Sequence, residues 1–344
     1  MKAMLLTSTT DLSQDEHPLT LAELPDPRPS QHEILIHVAA CGVCHTELDE
    51  IEGRTAPKSF PVVPGHEVVG YVAENGSQAS RFETGDRVGV GWIYSACGEC
   101  AYCRSGQENL CAEFQATGRD ANGGYAEYMT IHEAFATPIP EVFSDTEAAP
   151  LLCAGAVGYR ALRLCSLQDG QRLGLTGFGG SGHLVLQAAR QKYPQSDIYV
   201  FARNPDERDF ARELGAVWTG DTEATAPEKL DAIIDTTPAW KPVVEALRSL
   251  APGGRLVINA IRKEAGDKHY LLNLSYASHL WMEKEIKSVA NVTRRDLDEF
   301  LPLAAEIPIQ PTVQIYNLAE ANEALMALRA GGIRGSKVLR IDAS

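Results

Sequence analysis

The chain has 344 residues, enough for two domains with separate cores, and its 44% hydrophobic and 22% charged content is that of an ordinary globular protein. A formal net charge of −15 argues against a nucleic-acid backbone or an anionic membrane as the natural partner. No stretch of roughly eighteen apolar residues occurs, Met1–Thr7 carries too short an apolar run for a signal peptide, and the eight cysteines point to metal or catalysis before disulfides, so a cytoplasmic setting is expected.

Residues 1–40 read as strand, loop and strand, with Pro25, Pro27 and Pro29 breaking the middle. The apolar run Ile34–Val38 predicts a buried strand that delivers Cys41 and Cys44. Cys44-His45-Thr46 and Gly65-His66-Glu67 then set a thiol and an imidazole about twenty residues apart, beside a hydroxyl and a carboxylate. Thiolate and neutral imidazole are preferred zinc ligands, and a catalytic site uses three of them with one open position. Cys41-x-x-Cys44 also fits a redox pair or two buried thiols. Val68–Val72 and Arg87–Val90, separated by the turn Thr84-Gly85-Asp86, complete an irregular β-rich region.

Cys97, Cys100, Cys103 and Cys111 carry the strongest local signal. Four thiols at this spacing close a tetrahedral all-thiolate zinc site with no open position, which makes the ion structural. Free thiols or an iron–sulfur site are the competing readings.

Beyond residue 150 the pattern alternates between strand and helix. Leu173–Thr176 predicts a strand, Gly177-Phe178-Gly179-Gly180-Ser181-Gly182 a glycine-rich turn, and His183–Lys192 a helix. Such a turn allows a pyrophosphate to approach the positive end of the helix. Ile198–Phe201 predicts the second strand, Asn204-Pro205-Asp206-Glu207 a capped helix start, and Gly215 its end. Ala232–Asp235, Trp240–Leu250, Leu256–Ile258 and Ile286–Ala290 continue a doubly wound α/β sheet. From about 291 the chain reads as helix, strand, helix and a last strand, Val338–Ile341.

Taken together, Cys-Gly-Val-Cys-His-Thr, Gly-His-Glu, the four-cysteine lobe, Pro150–Gly155, Gly-Phe-Gly-Gly-Ser-Gly, Ser288-Val289 and Thr293-Arg294-Arg295-Asp296 resemble the zinc-dependent alcohol dehydrogenases of the medium-chain dehydrogenase/reductase superfamily. The resemblance spans essentially the full length. It implies a GroES-like β-rich catalytic domain (1–150 and 291–344) and a Rossmann dinucleotide-binding domain (151–290). It also implies Cys44, His66 and Cys153 as catalytic zinc ligands, with Glu67 able to approach the metal, and Cys41 and Cys165 as packing. Two zinc ions per subunit and a nicotinamide cofactor follow, with primary alcohols and aldehydes interconverted by hydride transfer. By the same resemblance Thr46 passes the alcohol proton outward, His45 faces the pyrophosphate or is merely solvated, and Trp92 narrows the substrate pocket or is core.

Some positions depart from the family. Asp49 stands where many members end a proton relay with histidine, Glu47 replaces the usual aspartate, and Ser336 with Lys337 occupies the region of a pyrophosphate-binding arginine. At the end of the second nucleotide strand, Ala202-Arg203-Asn204 replaces the ribose-binding acid, so NADP(H) is expected as the preferred cofactor, with NAD(H) as the alternative if Arg203 points elsewhere. A polyol dehydrogenase and a non-catalytic zinc-stabilised redox sensor are the competing functions. A homo-oligomer, dimer or tetramer, is expected.

Overall fold

The computed structural model describes residues 1–307, 309–331 and 335–341. The chain divides into two compact units, one of Met1–Cys153, Val292–Ala305 and Gln310–Ser344, the other of Ala154–Asn291 and Glu306–Ile309.

In the first unit β1 (Lys2–Leu6) pairs antiparallel with β2 (Leu19–Glu23), and β3 (Glu33–Val43) leads into helix α1 (His45–Ile51). Strand β3 runs five residues past the expected Val38. Ala39, Ala40 and Gly42 have little intrinsic strand preference, but pairing and burial hold them extended. Next come β4 (Val68–Asn75), β5 (Arg87–Val90), β6 (Ile93–Ser95), α2 (Ala101–Arg104), β7 (Gln115–Ala116), β8 (Tyr128–His132), β9 (Ala136–Pro138) and α3 (Asp145–Ala148). The last begins with a Ser144/Glu147 capping box.

The second unit begins with α4 (Ala154–Cys165) and alternates thereafter: β10 (Leu173–Thr176), α5 (Gly180–Lys192), β11 (Ile198–Phe201), α6 (Pro205–Glu213), β12 (Trp218–Gly220), β13 (Leu230–Asp235), α7 (Lys241–Ser249), β14 (Leu250–Ile258) and β15 (Glu285–Ser288). Its six-stranded sheet has the order β12-β11-β10-β13-β14-β15, with every pairing parallel. The inner strands β10 and β11 are buried along their whole length, which is why they read as continuous apolar runs. The strand order reverses between β10 and β13, the place where a doubly wound sheet opens its ligand crevice. Helix α5 starts three residues earlier than the apolar spacing suggests, because Gly180 and Gly182 form its first turn instead of preceding it.

After α8 (Arg294–Glu306) the chain adds β16 (Val313–Asn317), α9 (Ala321–Ala330) and β17 (Ser336–Arg340) to the first unit. The sheet there reads β16-β17-β3-β4-β5-β9, with β8 also pairing with β3. Its core joins Ile34, Ile36, Val38 and Cys41 of β3 to Leu48 and Ile51 of α1, and to Ala321, Ala324 and Leu325 of α9.

Candidate functional site

Cys44, His66, Glu67 and Cys153 converge in the first unit, with one ligand atom from each lying within 4.8 Å of all the others. Cys44 is the N-cap of α1, and the carboxylate of Glu47 accepts its backbone N–H at 2.8 Å. Gly65, at φ +97, turns the chain into His66 in a conformation that a side chain disfavours. Cys153 ends a short 3₁₀ turn, Ala149–Leu152, that carries Pro150. His66 is fully buried; its Nε2 lies 3.3 Å from Cys153 Sγ, while its Nδ1 donates to Glu47 Oε1 at 2.6 Å. That second bond leaves Nε2 as the lone-pair nitrogen that faces the cluster. A Cβ on Gly42 would come within 1.7 Å of Glu67 Oε2, so glycine there is what admits the Glu67 carboxyl.

The electrostatics suit a cation. A hydrogen bond from Cys153 draws Cys44 well below the ordinary thiol range, with His66 adding to the effect, and Cys153 is raised in return. Burial, then the Cys44 charge, pushes Glu67 well above the usual carboxylate range. Two sulfurs, an imidazole nitrogen and a nearby carboxylate form a donor set that fits zinc.

Around this cluster, Thr46 is buried with Oγ1 3.6 Å from Cys44 Sγ, and His45 is exposed at the start of α1. The carboxylate of Asp49 is buried and held by Arg54, with Nε at 2.7 Å and Nη2 at 2.6 Å from Oδ1. Trp92 is partly buried against Phe114 (ring centroids 4.7 Å apart) beneath the guanidinium of Arg119 at 5.4 Å. Cys41 is fully buried beside Gly65 and Gly124, and Cys165 is raised to about 12 by burial; neither belongs to a ligand group.

The second cluster is Cys97, Cys100, Cys103 and Cys111. Cys97 Sγ lies 3.8 Å from Cys103 Sγ and 3.5 Å from Cys111 Sγ. A tetrahedral ion with zinc–sulfur bonds of about 2.3 Å requires neighbouring sulfurs roughly 3.8 Å apart, so this donor set also fits zinc. Backbone N–H groups of Cys100 and Cys103 donate to Cys97 Sγ and Cys100 Sγ at 3.4 and 3.5 Å, and the bond from Cys103 draws the Cys100 thiol down to about 7. Glu108, within the lobe and buried, accepts from Arg294 N at 2.9 Å and Arg294 Nε at 3.0 Å.

In the second unit Gly177 has φ +79, and a Cβ there would meet Thr236 and Thr237 at the end of β13. A Cβ on Gly179, the N-cap of α5, would meet nothing within 4 Å, which leaves room for a phosphate at the helix end. A Cβ on Gly182 would meet Gly177 O at 2.9 Å, so it permits the tight packing of turn on helix. After β11, Ala202 is buried and Arg203 is exposed, while the Asn204 side chain caps α6 by accepting from Asp206 N at 2.9 Å. The roles of three residues escaped the sequence reading. Arg208 donates to the carbonyls of Ala202 and Arg203 at 2.7 and 3.0 Å, and Glu207 is bonded to the Phe178 N–H inside the glycine turn. Glu47 stood out in the sequence only as a replacement for aspartate, although a glutamate three residues after an N-cap is a recognisable capping sign.

Residues 30–141 match the family described as Alcohol dehydrogenase GroES-like domain, and residues 180–306 match the family described as Zinc-binding dehydrogenase. The sequence is 43% identical, over 95% of this chain and 94% of the relative, to a probable alcohol dehydrogenase of Mycobacterium tuberculosis. It is 34% identical, over 96% of this chain and 98% of the relative, to an alcohol dehydrogenase of Geobacillus stearothermophilus. The fold superposes on a cinnamyl alcohol dehydrogenase of Sorghum bicolor with a TM-score of 0.83, at 27% identity, over 99% of this chain and 98% of that one. The two units are thus the GroES-like and Rossmann parts of a nicotinamide-dependent oxidoreductase. The chain belongs to the zinc-dependent alcohol dehydrogenases of the medium-chain dehydrogenase/reductase superfamily.

Proposed function

We propose that the protein interconverts primary alcohols and aldehydes by hydride transfer with a nicotinamide cofactor, holding two zinc ions per subunit. The observation that carries this is the convergence of Cys44, His66 and Cys153 with Glu67, backed by Glu47 on His66. A zinc ion held there supplies Lewis acidity that stabilises negative charge on the reacting oxygen. Thr46, buried beside Cys44, takes the alcohol proton through its hydroxyl. Asp49 is a poor onward acceptor, since its carboxylate is already committed to Arg54. Glu47 fixes the His66 tautomer, and the Trp92 ring narrows the substrate pocket. The four-cysteine lobe holds the second, structural ion.

NADP(H) is the preferred cofactor in this reading. Buried Ala202 adds no charge at the strand end, and Arg203 and Arg208 supply two guanidinium groups there. The physiological assembly is a homo-oligomer in the cytoplasm. Along β15, an edge strand exposed at every residue, and the segment before it, Ile286, Trp281, Met282 and Tyr276 lie exposed, and such an edge calls for cover. Among the described residues no helix is long and apolar enough to cross a membrane.

The deciding experiment is zinc per subunit by atomic emission, followed by turnover over an alcohol and aldehyde panel with both nicotinamides. Two zinc ions and turnover of primary alcohols are expected. One zinc and no turnover would overturn the reading.

A further inference from the structure

Glu50, on α1, is only 1% exposed, and among the described residues neither of its carboxyl oxygens has a hydrogen-bond partner. A buried carboxyl left in that state is costly, and in native proteins it calls for an explanation. Glu50 lies one helical turn after Thr46, so the two side chains share a face of the helix. That face looks toward the metal cluster, because Thr46 Oγ1 sits 3.6 Å from Cys44 Sγ.

A second segment, the 117–119 loop, packs against the Gly65 turn that leads into His66. Thr117 N donates to Trp92 O at 2.9 Å, which ties the loop to Trp92. A Cβ on Gly118 would come within 2.7 Å of Gly65 N, so the loop lies directly against the segment that bears His66. Arg119 covers the Trp92 ring, and its charge also acts on the Glu50 carboxyl. It forms an ion pair with Asp120 Oδ2 at 2.6 Å, while Glu50 remains without a hydrogen bond. Trp92 Nε1 and Thr117 Oγ1 are likewise buried without a partner. Four polar atoms on three segments, Glu50 Oε1 and Oε2, Trp92 Nε1 and Thr117 Oγ1, therefore lack hydrogen bonds among the described residues.

We propose that Glu50 and Trp92 Nε1 form a hydrogen-bonding wall beside Thr46, and that the preferred substrate is a small alcohol or aldehyde bearing a second hydroxyl rather than a plain alkyl chain. This rests on the dehydrogenase reading and narrows its substrate class. Burial first, and the Glu47 charge second, raise the Glu50 carboxyl well above the usual range, against the opposing pull of His66 and Arg119. A neutral carboxyl can both donate to and accept from a hydroxyl, and a site built to pair a hydroxyl discriminates strongly against a ligand that lacks one.

The test compares kcat/KM for propanol and propanediol on the zinc-loaded chain with its tighter-binding nicotinamide. A parallel readout is thermal stabilisation of the cofactor-loaded chain by each alcohol. The unmodified protein should favour the diol in both. Glu50→Leu should lower the diol-to-propanol ratio by about tenfold or more, on the scale of a buried hydrogen bond. Trp92→Phe, which keeps the ring and removes only the N–H, should lower it in the same direction, and it decides the matter if Glu50→Leu does not fold. An unchanged ratio in a variant with full zinc content overturns the inference and leaves the dehydrogenase reading standing. Turnover of no alcohol or aldehyde at all by the unmodified enzyme overturns both.

Discussion

Glu47 Oε1 accepts a hydrogen bond from His66 Nδ1 at 2.6 Å, and both side chains are fully buried. The same glutamate caps α1 through its other oxygen, on Cys44 N. One side chain thus orients two residues, Cys44 and His66, of the donor cluster. Partners of this kind typically contribute ten- to a hundred-fold to metal affinity. Glu47→Ala is therefore expected to weaken zinc at this site by about that factor in a chelator competition. Unaltered affinity would show that the His66 tautomer is set elsewhere.

The two clusters should fail separately. In Cys103→Ser the closed site of the 97–111 lobe is lost, and stability falls before chemistry does. Cys44→Ser leaves a folded chain that still binds cofactor but does not turn over. Zinc content, a melting curve and a rate for each variant check this; substantial turnover by Cys44→Ser would falsify the catalytic assignment.

Thr46→Val keeps the volume but removes the hydroxyl, and is expected to depress alcohol oxidation far more than cofactor affinity. Asp49→Asn should lower kcat by about tenfold or less on the scale of acid–base effects. Its larger consequence is on stability, because Arg54 loses a buried anionic partner at 2.6 Å, an interaction of about 1–3 kcal/mol. Loss of rate at Asp49 as deep as that at Thr46, with an unchanged melting temperature, would make Asp49 an essential relay member after all.

Cofactor choice should turn on the end of β11. Dissociation constants for the unmodified chain are expected to favour NADPH over NADH by about ten- to a hundred-fold, the value of a charge-assisted contact. Ala202→Asp with Arg203→Ile should reverse the order. Glu207, raised by burial and bonded to the Phe178 N–H, adds an acid near the same turn. Removing its charge in Glu207→Gln should tighten NADPH further. Tighter NADH than NADPH in the unmodified protein contradicts the assignment.

Lys337 is 1% exposed, its Nζ has no hydrogen-bond partner among the described residues, and burial lowers its pKa. A lysine whose pKa is depressed by folding gives a contribution to stability that is retained above the unfolded value, about 10.4, and lost as pH falls through the folded one. Lys337→Met should accordingly raise the melting temperature at neutral pH, and the gain should shrink as pH climbs toward 10. A gain independent of pH would mean that packing alone is responsible.

The metal clusters and the glycine turn were legible because their chemistry resides in residue types and short spacings. Cys97, Cys100, Cys103 and Cys111 fall within one short segment, and Gly177–Gly182 follows a strand closely enough to mark its own place. Relationships between distant segments were not legible. Nothing near Arg294 announces that it holds Glu108, because that depends on how the backbone returns, whereas the Asp49–Arg54 pair is local and depends on how the chain folds back at the end of α1. The length of β3 was hidden for the same reason: Ala39–Val43 is extended by its neighbours rather than by its own preferences. Nothing in the sequence around Glu50 sets it apart; only its burial marks it as unusual.

The strand that presents Cys44 gains one of its neighbours from nearly three hundred residues further along the chain. Strand β3 pairs with β17, joining Val43 to Lys337 and Cys41 to Leu339. During synthesis β3 must wait beside a missing edge while nearly three hundred residues emerge, and the four-cysteine lobe likewise waits for Arg294. For that interval the seven thiols of the first unit sit on an unfinished scaffold, open to oxidation or to capture of the wrong metal. The cell's chaperones and reductants therefore bear on yield more heavily here than the finished enzyme's stability suggests. Ribosome-stalled chains ending before residue 313 should remain protease-sensitive and label fully with thiol reagents, whereas chains with the last strand clear of the exit tunnel should not.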